Sequence, residues 1–135
     1  GRAAGISFAF DKMKRTPNTR LAHRLIWEAE RQGHQDALVE RLFDGYFQKG
    51  LDIGSKDVLL AEAQAAGLAT AGVQRALDDE EILEAVLDLE DAGLRMGIQG
   101  VPFFILMGKY AISGAQPPEL WRDALPKIAA EAAQA

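Results

Sequence analysis

The chain has 135 residues, 48% hydrophobic and 26% charged, the balance of an ordinary globular domain with enough apolar side chain for a buried core. The 20 acidic against 15 basic residues leave a net charge of −5, so no positive field gathers phosphate and a nucleic-acid partner is excluded. No apolar run approaches the ~20 residues that span a bilayer and Gly1-Arg2-Ala3-Ala4 adjoins no signal-peptide core, so no membrane partner and a cytoplasmic location are expected.

Residues 1–17 read as a connector. Ile6-Ser7-Phe8-Ala9-Phe10 alternates in size and is expected to be extended, with Phe8 and Phe10 packing onto the body. Lys12, Lys14 and Arg15, close behind Asp11, fit a solvated turn better than an anion site. Residues 18–99 then carry helical signals. Thr16-Pro17-Asn18-Thr19 offers capping oxygens and a proline suited to a helix start, and Leu21, Leu25, Ile26 and Ala29 follow at helical spacing up to Gly33. A second helix is expected from Gln35 to Lys49, with Leu38, Leu42 and Tyr46 beside Val39, Phe43 and Phe47, and Gly50 as its stop. Ser55 is placed to cap a third helix that turns Val58, Leu59 and Ala63 inward and ends at Gly67. Thr70 to Leu77 reads as a short fourth helix. The acidic run Asp78 to Glu81 opens a fifth, burying Ile82, Leu83, Val86 and Leu87 and closing near Met96-Gly97.

Residues 100–135 change character. Gly100-Val101-Pro102 leads into the apolar run Phe103 to Met107, which turns at Gly108-Lys109 and leaves through Tyr110 to Ser113. This pattern predicts an antiparallel hairpin, and glycine first in a two-residue loop suits a type II′ turn. A strand without polar residues is expected to be covered on both faces, by more strands than one hairpin supplies. Pro102 opens the strand, where its missing N–H breaks no ladder bond. Beyond Gln116-Pro117-Pro118-Glu119, a helix follows through Leu120, Trp121, Ala124, Leu125 and Ile128. Pro126 is expected to kink or split it, and Ala129 to Ala135 to fray.

Gly100-Val101-Pro102-Phe103-Phe104, with Tyr110-Ala111-Ile112-Ser113-Gly114-Ala115-Gln116-Pro117-Pro118, resembles the second half of a DsbA-family thiol:disulfide oxidoreductase, in the FrnE-like branch. The preceding block of helices resembles that family's insertion. The resemblance implies an α/β thioredoxin-like fold of the DsbA type with an all-helical insertion, represented here mostly by α-helix with one C-terminal β-hairpin and a last helix. It also implies that Pro102 is a cis-proline facing a redox-active Cys-x-x-Cys, that Val101 offers its backbone to an extended substrate, and that Gly100 lets the chain approach closely. The expected partner is a thiol or disulfide substrate, peptide or glutathione-like. No cofactor is expected.

The chain has Cys 0, and thiol exchange needs a thiolate as its nucleophile. A catalytic residue is therefore not expected in this chain, which reads as the C-terminal part of a longer protein and as inactive alone. A relative of the kappa-class glutathione transferases and 2-hydroxychromene-2-carboxylate isomerases is the alternative, in which a serine stands in for the thiol and Asn18 could reach the substrate. A third reading is a noncatalytic helical module that binds another chain through its open strand edge, and a homodimer is one way of covering that edge. Other chemistry is weak: His23 and His34 lack ligand spacing for a metal, no serine has a nucleophile context, and no phosphate loop occurs.

Overall fold

The computed structural model describes residues 1–133, in two compact units, Gly1–Leu89 and the chain from Glu90 onward. The element order is α1 (Arg20–Gln32), α2 (Gln35–Phe43), α3 (Lys56–Ala65), α4 (Thr70–Asp78), α5 (Glu80–Arg95), β1 (Phe103–Leu106), β2 (Tyr110–Ser113) and α6 (Pro118–Ala132).

The first unit is a helical cluster in which α1 packs against α2, α3 and α4. Each of these four helices contributes one large, fully buried side chain, namely Leu25, Leu38, Leu59 and Val73. Glycine stops two of these helices, α1 and α3. At Gly33 (φ 73°) and Gly67 (φ 94°) the backbone turns left-handed, a conformation in which a Cβ is strained. The following residues then close six-residue loops, His34 N–H donating to the Ala29 carbonyl at 2.9 Å and Leu68 N–H to the Ala63 carbonyl at 3.0 Å.

A polar ladder on α1 binds α4. Arg24 is buried and donates to the carbonyls of Ala76 and Asp79, both at 2.7 Å, at the end of α4. Two turns later Gln32 accepts the Ala69 N–H at 2.9 Å, just before α4 begins. Between them the buried Glu28 accepts from Gln32 Nε2 and from Arg75 Nη2, each at 2.8 Å. Successive residues on one face of α1 thus meet the end, middle and start of α4, which makes the two helices antiparallel.

Several expectations are corrected. The connector holds two 3₁₀ turns, Arg2–Ala4 and Phe10–Lys12, so the expected extended run stops short of Phe10. Phe8 packs onto the body as expected, edge-on to Phe47 at 5.8 Å between centroids, and Ala9 is buried with its N–H donating to the Phe47 carbonyl at 2.8 Å, whereas Phe10 stays 62% exposed and stacks on Phe8. Lys12, Lys14 and Arg15 are exposed, as a solvated turn requires, and Arg15 also pairs with Asp52 at 2.6 Å. Pro17 lies outside α1, and the side chain that serves its start is Asn18, whose Oδ1 accepts the Arg20 N–H at 2.9 Å. The second helix covers its expected length but changes type, since Asp44–Lys49 is a π-helix. Ser55 precedes α3 without a capping hydrogen bond from its side chain.

In the second unit, β1 and β2 form an antiparallel pair with Phe103 opposite Ser113 and Leu106 opposite Tyr110. The turn sits one residue earlier than the sequence suggests. Met107 (φ 54°) and Gly108 (φ 67°) are its central residues, and Lys109 N–H donates to the Leu106 carbonyl at 3.1 Å. Positive φ at both centres is the type I′ signature, which matches the right-handed strand twist. Neither face of β1 is closed, for Phe104 and Ile105 are both exposed. Pro126 lies within α6, which runs unbroken to Ala132, so a split there is excluded. Of the stretch Ala129–Ala135 expected to fray, the residues to Ala132 belong to α6, and Gln134 and Ala135 lie outside the described residues. α6 meets the hairpin through Trp121, edge-on to Phe104 at 4.7 Å between centroids, and through the Tyr110 hydroxyl, which donates to the Glu131 carboxylate.

Candidate substrate-binding site

Gly100, Val101 and Pro102 form the approach to β1. The Val101–Pro102 peptide bond is cis. Pro102 has no N–H to give to a ladder, but its carbonyl accepts the Gly114 N–H at 2.8 Å. That bond continues the hairpin by one step and fixes the cis bond's position at the strand end. Gly114 itself has φ 81°, a left-handed turn that aims its N–H back at Pro102 while the chain departs toward α6. Gln116 closes the departure, its Nε2 donating to the Ser113 carbonyl at 2.6 Å.

Val101 is 91% exposed. Among the described residues its N–H and carbonyl make no backbone hydrogen bond. A residue with both main-chain groups open, beside a pair of strands, can take an added strand. Gly100 has open space around it, since a Cβ there would meet nothing within 4 Å. Asn18 belongs to the first unit, where its side-chain oxygen is engaged by the backbone of α1. The role of Gly114 escapes a reading of the sequence alone, although a glycine directly after a strand is the signal that marks it.

Among the described residues no three of His, Cys, Asp and Glu gather as a metal would require, and no helix is long and apolar enough to cross a membrane. The carboxylate geometry is structural. Burial pushes Glu28 upward, but its hydrogen bonds from Gln32 and Arg75 outweigh this and hold it below the ordinary glutamate value. Asp52 is held low by the Gly54 N–H and by Arg15.

A helical block followed by a hairpin with a cis-proline at its mouth and a final helix on that hairpin defines a thioredoxin-like protein of the DsbA type. Residues 1–126 match the DSBA-like thioredoxin domain, and the chain belongs to that family. The chain is similar to a probable DsbA oxidoreductase from Streptomyces coelicolor known from its crystal structure, with 30% identity and a TM-score of 0.82. The similarity covers 96% of this chain and 56% of that one. The chain thus spans little more than half the length of that relative. No curated protein matches.

Proposed function

We propose that this chain is part of a protein disulfide oxidoreductase of the FrnE-like branch, in which Val101 and Pro102 form the wall that faces substrate. The observation that carries the reading is the cis Val101–Pro102 bond next to an exposed residue whose main-chain groups are open. An extended thiol- or disulfide-bearing peptide lies beside Val101 and pairs with its N–H and carbonyl as another strand would. The helical unit serves as the lid that selects among substrates. The branch assignment rests on Gly114-Ala115-Gln116-Pro117-Pro118, whose left-handed glycine and Gln116 clip lead from the site into α6.

The nucleophile is supplied by residues outside this chain, because the sequence has no cysteine and no other side chain performs thiolate exchange. Two experiments test the proposal. Intact mass of the natural gene product with thiol counting after denaturation is expected to exceed 14.7 kDa and to show a cysteine pair; a thiol-free product of that mass would sink it. In that cysteine-bearing protein, Pro102→Ala is expected to slow disulfide exchange by about tenfold or more through lost substrate positioning. Unchanged turnover would count against Pro102 as the wall. The chain alone is expected to show no exchange.

A further inference from the structure

The helical unit contains a cavity of about 260 Å³ that the hairpin site does not involve. One side is built from the entry to α1, with Thr16, Thr19, His23 and Ile26; the other comes from α2 and the π-helix, with Phe43 and Phe47. The two phenylalanine rings are nearly parallel, 15° apart with centroids at 6.0 Å, and Phe43 is 58% exposed. We infer that this cavity is a binding site for a small aromatic molecule of one or two rings, seated against Phe43 and Phe47.

Three independent features point to that ligand class. The first is size: an apolar cavity of ~150 Å³ takes up benzene, so about 260 Å³ suits a ring system somewhat larger. The second is the wall. Phe43, Tyr46 and Phe47 all line it, and aromatic rings attract one another beyond the area they bury, which favours a ring over an aliphatic ligand. The third is backbone: Asp44–Lys49 is π-helical where it carries Tyr46 and Phe47 into the lining, and such turns gather at functional sites. The surface these residues turn to the cavity is almost wholly apolar, which suits a ring system carrying few polar groups. All these residues belong to the first unit, so the inference is independent of the oxidoreductase reading.

Indole is a suitable probe, having two rings and one N–H. Titrated into the isotope-labelled chain, it is expected to bind saturably at one site and to shift amides at Ile26, Val39, Phe43, Tyr46 and Phe47. Val39 lines the cavity, and Val39→Phe fills it, so affinity is expected to fall by roughly tenfold or more. Phe10 is exposed but does not line the cavity, and Phe10→Ser is expected to change affinity by less than about twofold. Circular dichroism establishes whether Val39→Phe is folded. Should it not fold, the shift map of the unsubstituted chain decides alone. Absence of saturable shifts, shifts centred on Phe8 and Phe10 or on the second unit, or full affinity in a folded Val39→Phe protein would each overturn the inference.

Discussion

Glu28 shows how a buried charge is made tolerable. Its two oxygens accept from Gln32 and Arg75, so neither is left without a partner on leaving water. Its carboxyl is held below the ordinary value of 4.5, so the folded state binds the proton less well than the unfolded chain. That contribution is complete above about pH 4.5 and is lost as pH falls through the lower folded value. Glu28→Gln is expected to cost about 1.5–3 kcal/mol at pH 7, read from urea unfolding, and to flatten the acid limb of the stability profile. An unaltered acid limb would mean that other carboxylates set it. Gly72 depends on the same contact. A Cβ there would lie 2.3 Å from Gln32 Nε2 and 2.6 Å from Glu28 Oε1. Helix propensity alone favours Gly72→Ala by about 1 kcal/mol, but the crowding costs about 1–3 kcal/mol, so net destabilisation is expected. A raised unfolding midpoint would show that the network yields.

At the scale of elements, α6 carries a proline that its continuity does not reveal. Pro126 cannot donate to the carbonyl one turn before it, and proline in a helix interior is about 3 kcal/mol worse than alanine. Pro126→Ala is expected to raise the stability of the second unit, measured by thermal unfolding, since Pro126 is exposed and no burial opposes the change. A fall would mean that the ring has a packing role. The helices were legible because apolar spacing and glycine stops are local signals, and the cis bond at Pro102 was legible through the family resemblance of a contiguous motif. What escaped is set at a distance. Arg24 and Glu28 are charged, so their side chains read as solvent-facing until α4 is placed upon them. The turn shifted by one residue because register is decided by strand pairing and by a non-glycine residue, Met107, accepting positive φ. The Pro102–Gly114 bond follows from that register, so it was hidden as well. The π-helix has no signature in apolar spacing, since its residues also fit a helical face.

For the whole molecule, burial is uneven. Every buried residue among those described lies at or before Val86, and none falls in the second unit. The two units are therefore expected to unfold in separate steps, the second at lower denaturant. Nature has provided one tryptophan for each: Trp27 packs on the first core and Trp121 against Phe104. Fluorescence of Trp27→Phe and Trp121→Phe proteins in urea reads them individually. Coincident midpoints would show a single cooperative unit instead. The ladder on α1 limits the chain length that the first unit accepts. Arg24 and Gln32 are eight residues apart, about 12 Å along the helix, and they grasp the two ends of a nine-residue α4 that is about 13.5 Å long. α1 is thus a caliper set to its neighbour. Substitutions on the outer face of α4 leave the setting intact, whereas inserting or deleting a single residue there moves one jaw off its mark.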